Sequence, residues 1–386
     1  MRDGSIRGTS AIVGAAWSGL GEAHGMEPLE MIAHASRTAL QDAGLGLQDV
    51  DGLFGCMQVD FFSTMAVAEY LGIRPTFSDN NRLGGSSFLM HTLQAALALE
   101  AGLCKVALIF YGSNQRTAMG KLQSAVQGAW TAFESRYGPR FPISSYALAA
   151  SRHMHEYGTT PEQLAEVAVA ARRWAQLHPD AFVRDPLTIA DVLSAPRVST
   201  PFGRLDCCLV TDGAGAIVMT AADRAKDLPR PPVYLLGAAG AHWHKHISEM
   251  PDLTVTAAAE SAPKAFAMAG VRPADVDVVQ IYDAFTINTI VLLEDLGFCP
   301  KGEGGRFVEN GAIAPGGRLA VNTSGGGLSF CHPGMLGLFL LIEAVKQLRG
   351  EAGDRQVAGA KLAACQASGG VLSSQVTNIL GTADCL

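Results

Sequence analysis

Charge is scarce in this chain of 386 residues. Only 17% of residues are charged, and 29 Lys and Arg face 36 Asp and Glu, for a net charge of -7. That balance cannot assemble the basic face a nucleic-acid backbone demands, which excludes nucleic-acid binding. Aromatic residues make up only 7%. Long apolar runs are missing: none reaches the roughly 20 residues of a bilayer-spanning helix, so a membrane protein of that kind is excluded too. The N-terminal stretch from Met1 to Gly14 has no apolar run of signal length, so a cytoplasmic location is expected. The eight cysteines show neither CxxC pairs nor metal-ligand spacing, and in that compartment they are expected to be reduced.

Apolar residues are plentiful at 48%, with 43 glycines. A chain of this length and composition can bury a large core, and it suits two fused domains better than one. The main internal signal is a repeat. The segment from Ala39 to Cys56 recurs from Ala265 to Tyr282, with Ala43-Gly44 matching Ala269-Gly270 and Asp49-Val50-Asp51 matching Asp275-Val276-Asp277 at one constant offset. Each copy reads as a helix ended by a C-cap glycine, a short loop and a buried strand. Each strand delivers a polar residue at its end, Cys56 in one copy and Tyr282 in the other.

The repeat continues into two glycine-rich helix starts. One is Asn81-Arg82-Leu83-Gly84-Gly85-Ser86-Ser87, with a helix to Ala101-Gly102; the other runs from Asn322 through Gly325-Gly326-Gly327 to Cys331-His332-Pro333-Gly334, with a helix to Arg349-Gly350. Strands are expected from Lys105 and from Ala360. The alternation predicts α/β architecture with mainly parallel sheets. Residues 119–199 differ in texture and contain a helix start with Thr160 as N-cap, Pro161 at the first helical position and Gln163 closing a capping box. The expected organisation is a first half at 1–118 and 200–228, an insertion at 119–199, and a second half at 229–386. A strand with a tight turn at Asp212-Gly213 is expected on return to the core.

These features together resemble the thiolase superfamily over essentially the whole chain, nearest to its lipid-transfer-protein-like branch. The resemblance implies a thiolase fold: two βαβαβαββ halves forming a five-layer αβαβα core, with a loop insertion in the first half. It also implies action on the acyl group of a coenzyme A thioester, with coenzyme A part of the substrate rather than a separate cofactor. The family's nucleophilic cysteine falls at Gly85, counting back from Ala101-Gly102, so the thiol is absent. Ser86 and Ser87 are the substitutes to weigh, but no base stands near them in sequence and N-capping is their ordinary use. The second active-site stretch reads Tyr282-Asp283-Ala284-Phe285, placing a phenol where the family has Asn or His. The third reads Cys331-His332-Pro333 and keeps the histidine. The fourth reads Cys365-Gln366-Ala367, with Cys365 either at the family's acid/base position or a small buried residue ending a strand. Gly326 and Cys331 belong to the loop expected beside the substrate thioester.

With the nucleophile gone, helix-start amides and His332 can still stabilise an enolate, and Tyr282 can move a proton. Those two abilities suffice for retro-aldol cleavage of a β-hydroxyacyl-CoA. Tyr-Asp-x-Phe resembles the motif of the steroid side-chain-cleaving aldolases in this branch. The expected assignment is Tyr282 as base, His332 as oxyanion donor or acid, and Asp283 as holder of the loop; a buried structural phenol is the alternative for Tyr282. The resemblance further implies a homodimer and, as an option, a small partner with an OB-fold and a zinc ribbon. Two rival readings stay open: an acyltransferase using Cys331 or Cys365, and a non-catalytic acyl-CoA carrier or scaffold. Three lesser features complete the reading. His242, His244 and His246 read as a pocket-lining segment rather than a metal site, Cys207-Cys208 as core, and Arg82 with Arg172-Arg173 as contacts to coenzyme A phosphates or solvated charge.

Overall fold

The protein is described by a computed structural model covering residues 6–58, 60–118 and 134–386; residues 1–5, residue 59 and residues 119–133, the start of the expected insertion, lie outside the described residues. The first half contains β1 (Ser10–Gly21), α1 (Pro28–Asp42), β2 (Gly52–Gly55), α2 (Ser63–Leu71), β3 (Phe77–Asp79), α3 (Ser87–Glu100) and β4 (Val106–Ser113). Then α4 (Ile143–Tyr157), α5 (Pro161–Gln176), α6 (Ile189–Ser194) and a ribbon of β5 (Arg197–Ser199) and β6 (Phe202–Gly203) stand outside the main sheet. The chain re-enters with β7 (Asp212–Ala221) and the short α7 (Ala222–Ala225). The second half follows as β8 (Val233–His242), α8 (Ala258–Ala269), β9 (Val278–Ile281), α9 (Thr286–Asp295), α10 (Gly304–Val308), β10 (Ala320–Val321), α11 (Gly337–Leu348), β11 (Leu362–Gly369) and β12 (Ser374–Gly381).

Strand order runs β10-β9-β11-β12-β8-β1-β7-β4-β2-β3, so each half contributes the same series and the two meet at β8 and β1. Helices α3 and α11 pack between the two half-sheets, whereas α1 and α2 cover one outer face and α8 and α9 the other. The α/β expectation holds; the mainly parallel one does not. In each half two pairings are parallel and two antiparallel. The reason is connectivity: β11 and β12 are joined by a few residues, which only an antiparallel hairpin permits, since a parallel crossover needs a dozen or more.

The sequence repeat has a physical basis. Asp51 accepts the backbone N–H groups of Lys105 and Val106 (2.8 Å each), and Asp277 accepts those of Lys361 (2.8 Å) and Leu362 (3.0 Å). Each aspartate thus fixes the start of the next strand. The outer helices lie so close to the sheet that a Cβ on Gly14 would fall 2.0 Å from the Ala39 carbonyl oxygen, and one on Gly237 would fall 2.1 Å from that of Ala265. Two other predicted details separate. The capping box at Thr160 and Gln163 opens α5 as expected. The tight turn at Asp212-Gly213 is not formed: Asp212 begins β7, and its buried carboxylate accepts N–H groups from Ala23, Arg116 and Thr117. No helix among the described residues is long and apolar enough to cross a membrane.

Candidate active site

The site forms where β9 ends. The Tyr282 N–H donates to the Gln366 carbonyl (2.9 Å), carrying the ladder one step past the strand. The Ile281 N–H donates to Asn322 Oδ1 (2.6 Å), with Asn322 in the left-handed region at φ 52. This seats the Tyr282 ring in the interior, and its hydroxyl lies 2.9 Å from His332 Nε2. The two rings are nearly perpendicular, at 86°. The segment from Cys207 to Thr211 straps the surrounding loops together. Cys208 N–H donates to the Ala284 carbonyl (2.9 Å) and Leu209 N–H to that of Gly327 (2.8 Å). Thr211 holds His332 twice: its N–H donates to the His332 carbonyl (3.3 Å), and its hydroxyl accepts the His332 N–H (3.0 Å).

Burial governs the protonation of the pair. It pushes the His332 imidazole down to about 4, so the ring is neutral at pH 7. It pushes the Tyr282 phenol well above its usual range, an effect reinforced by Cys208, Tyr146 and Tyr111 nearby and opposed by the N–H of Leu336 at the start of α11. The imidazole also meets its own backbone carbonyl, and a proton on Nδ1 for that contact would free Nε2 to accept from the phenol. The result is a neutral, water-poor dyad at a helix N-terminus.

The Asp283 side chain enters the π-helical turn Gly326–Phe330, where Gly327 separates it from the His332 ring. Its carboxylate accepts the N–H groups of Gly327 (2.6 Å) and Leu328 (3.4 Å). Burial raises its pKa to about 7 against the pull of those bonds and of Asn322. Gly326 makes this possible, because a Cβ there would sit 2.2 Å from Asp283 Oδ2. Cys331 follows the turn, wholly buried, with its thiol pushed well above its ordinary value by burial and by Asp283. Cys365 is also fully buried on β11, and its thiol points to the Leu340 carbonyl of α11 (3.8 Å) rather than to Tyr282 or His332.

Gly85 lies directly beneath the Tyr282 ring. A Cβ on it would come 2.0 Å from Tyr282 Cε2 and 2.8 Å from the Ser368 carbonyl oxygen. The phenol therefore fills the space a side chain at position 85 would need. Ser86 and Ser87 are committed to the turn before α3 and not to the N-cap bonds expected of them: Ser86 Oγ donates to the Leu83 carbonyl (2.9 Å), and Ser87 Oγ accepts the Leu83 N–H (2.7 Å). Ser86 Oγ also meets Ser374 Oγ (2.7 Å), which meets His242 Nδ1 (2.8 Å), a link invisible in the sequence. His244 bonds the Val371 carbonyl and His246 faces Glu134, so the three histidines serve separate partners. Tyr111, Tyr146 and Thr211 around the dyad escaped sequence reading, since no motif links them to Tyr282. Cys207 and Cys208, expected in the core, are only partly buried against it.

Residues 239–382 match the family described as thiolase C-terminal domain-like. The chain is 35% identical over 367 residues to the 17-hydroxy-3-oxo-4-pregnene-20-carboxyl-CoA lyase of Mycobacterium tuberculosis, covering 89% of this chain and 92% of that one. It belongs to the thiolase superfamily, in the lipid-transfer-protein-like branch. It is also 34% identical over 384 residues to an acetyl-CoA acetyltransferase of Methanothermobacter thermautotrophicus, covering 96% of this chain and 98% of that one. Among solved structures, one described as Ltp2-ChsH2(DUF35) aldolase superposes with a TM-score of 0.89 at 32% identity, covering 98% of each chain. The relatives thus include both a lyase and an acyltransferase, and the geometry at positions 85 and 282 bears on the choice between them.

Proposed function

We propose that this chain is a carbon–carbon lyase that cleaves a β-hydroxyacyl-CoA by a retro-aldol reaction. The observation that carries the reading is the phenol of Tyr282, hydrogen-bonded to a neutral imidazole and standing where a nucleophile at position 85 would be. The substrate's β-hydroxyl gives its proton to the Tyr282 oxygen as the phenol passes its own proton to His332 Nε2. The C–O bond becomes a carbonyl, the Cα–Cβ bond breaks, and its electron pair moves to Cα as a thioester enolate. The proton on His332 returns through Tyr282 to Cα, giving a short acyl-CoA and a ketone. Relaying the proton to His332 avoids leaving a phenolate in a dry site, where an unpaired charge is costly. The N–H of Leu336 and the start of α11 favour negative charge in that region. No cofactor enters beyond the coenzyme A of the substrate.

A steroid side chain as the acyl group is supported by the likeness to the mycobacterial pregnene-carboxyl-CoA lyase, and a small partner protein by the likeness to the Ltp2-ChsH2(DUF35) aldolase. Phe61, Phe62, Met65 and Tyr70 stand exposed on and before α2, beside the edge strand β3, which supports a second copy of the chain docking there as a homodimer. All eight cysteines are free, which suits a reducing cytoplasm. Acyl transfer through Cys331 or Cys365 fits less well, because both thiols are buried with raised pKa values.

The test is mass spectrometry of the purified chain, alone and with a co-expressed partner, incubated with β-hydroxyacyl-CoAs bearing a tertiary hydroxyl. Release of acetyl-CoA or propionyl-CoA with a ketone, abolished by Tyr282→Phe, is the expected result. An acyl-mass adduct on the protein would sink the lyase in favour of a covalent thiol, and bound acyl-CoA without turnover would leave a carrier.

A further inference from the structure

The helices that stand outside the main sheet reach the site through one side chain of α4. Tyr146, on the first turn of that helix, is buried with its ring 4.6 Å from the ring of Phe285, three residues beyond Tyr282. Its hydroxyl donates to the Gly370 carbonyl (3.2 Å), in the tip that joins β11 to β12. The Leu372 N–H and the Asn288 side chain approach the same oxygen as donors, Asn288 without completing a hydrogen bond there. A phenol has one proton to give, and with donors on that side it is directed to Gly370.

The tip is held in an unusual conformation. Leu372 sits in the left-handed region at φ 54 with its side chain buried. For a bulky residue that backbone is rare, and it lasts only where the surroundings over-determine it. Just past β8, His244 Nε2 meets the Val371 carbonyl (3.0 Å) and the Trp243 N–H donates to the Ser373 carbonyl (3.3 Å). Toward α4, the tie is Tyr146.

The tip in turn supports the floor of the dyad. A Cβ on Gly369 would fall 1.5 Å from the Leu83 carbonyl oxygen, and one on Gly84 would fall 2.9 Å from the Gly369 Cα. The Ser368 carbonyl and the Tyr282 ring crowd the next position, Gly85, from two sides. Backbone meets backbone here with no side chain between to absorb a shift. Movement of the tip therefore passes to the turn Gly84–Ser86 and on to the ring set against it.

We propose that Tyr146 is a positioning residue of this site: its hydroxyl clamps the β11–β12 tip, and the clamped tip holds the glycine floor against which the Tyr282 ring is set. Its effect on turnover rests on the lyase reading, whereas its effect on the Tyr282 ring does not.

The experiment compares the native chain with Tyr146→Phe, which keeps the ring on Phe285 and removes only the hydroxyl. Hydrogen exchange is read at the amides of residues 369–373. Fluorine NMR is read on protein labelled with 3-fluorotyrosine, the Tyr282 signal being identified by its loss in Tyr282→Phe. The variant is expected to keep the native melting temperature and to exchange the tip amides at least about tenfold faster. Its Tyr282 signal should broaden or double, as a ring no longer held in one place does. In the product assay kcat should fall by about 10²-fold, the scale of a small misplacement, with KM within about threefold. A side chain that only packs would leave kcat and the Tyr282 signal native. Native exchange at the tip, a single sharp Tyr282 signal, or a loss carried by KM overturns the proposal. A native protein that forms no product would sink the lyase reading and leave exchange and the fluorine signal to decide this one.

Discussion

The two halves of the molecule are built alike and used differently. Asp51 and Asp277 fix the start of equivalent strands, Gly14 and Gly237 admit equivalent helices, and α3 and α11 share the middle layer. The halves part company at the ends of β2 and β9. There the first half offers Cys56, a buried thiol raised to about 11, and the second offers Tyr282 on His332. They part again at the next helix: α9 is wholly buried, whereas α2 leaves Met65 and Tyr70 in solvent. A duplicated frame is kept by positions whose job is local and backbone-directed, while the tips of the strands are free to diverge. The proposed chemistry sits on one tip, and the proposed contact with a second copy on the other half.

The largest effect that tests this division is expected from substituting the two tips. Tyr282→Phe should lower kcat by about 10³-fold, the usual scale for removing a group that transfers a proton, while leaving thermal stability close to native. Cys56→Ala should leave kcat within about threefold and cost only about 1 kcal/mol in stability, as loss of a small buried group does. Comparable losses of kcat from both would show that the first half shares in the chemistry. The pH profile sharpens the same point. A base whose folded pKa is pushed down to about 4 stays neutral until pH approaches that value. Activity should therefore be flat from about pH 8 to about pH 5 and fall with an acid limb near pH 4, with the fold monitored by circular dichroism. A limb centred near the ordinary histidine value of about 6.5 would mean that His332 is solvated in the working enzyme.

Next in size is an exchange at the contact between halves. Gly85→Cys alone must displace the Tyr282 ring, since its Cβ would fall 2.0 Å from a ring carbon, and a misplacement of that order should lower kcat by about 10²-fold. In a Tyr282→Asn background the ring is gone, and only the Ser368 carbonyl oxygen, 2.8 Å from the new Cβ, has to give way. The new thiol then stands at the turn leading into α3, where the helix dipole favours a thiolate. Incubation with acyl-CoA should yield an acyl-mass adduct in the double variant and none in the native chain. An adduct from Gly85→Cys with Tyr282 retained would break the claim that the two side chains exclude each other.

Stability effects of about 1–3 kcal/mol should come from Gly14→Ala and Gly237→Ala, each of which drives a methyl into a helix carbonyl that cannot retreat without opening the layer. Urea unfolding should give similar losses for the two, and a twofold or larger disparity would mean that one outer helix is much looser than its twin.

How far the sequence could be read follows from the same local logic. Asp-Val-Asp after Ala-Gly is visible because cap, turn and strand start all lie within a few residues, and Tyr282 is visible because it directly follows a legible strand. The exclusion between Gly85 and Tyr282 spans most of the chain and leaves no trace in spacing. Asp212-Gly213 misled because Asp-Gly ordinarily marks a turn, whereas here three N–H groups from remote loops claim the carboxylate. Ser86 and Ser87 read as helix caps because capping is their usual local role, but strand β12 and the preceding turn take their hydroxyls instead.

The smallest and most exacting comparison is between Asp51→Ala and Asp277→Ala. Each aspartate accepts two backbone N–H groups at the mouth of a strand, and the geometries differ by only 0.2 Å in one bond, 2.8 against 3.0 Å. Loss of such an acceptor leaves N–H groups near the surface that water can partly satisfy, so each substitution should cost only about 1 kcal/mol. Asp51 is half-buried and Asp277 is exposed, so water rescues the second more completely and the loss at Asp51 should be the larger. The two sites lie in different half-sheets with no shared partner, and the double variant should lose the sum of the single losses in denaturant unfolding. A double variant that loses clearly more than the sum would show that the half-sheets fold as one cooperative unit through the β1–β8 junction, whose register pairs only Ala11 with Tyr234 and Ile12 with Val233. Additive losses would fit halves that are alike in frame and independent in how their strands begin, coupled chiefly through α3 and α11 in the shared layer.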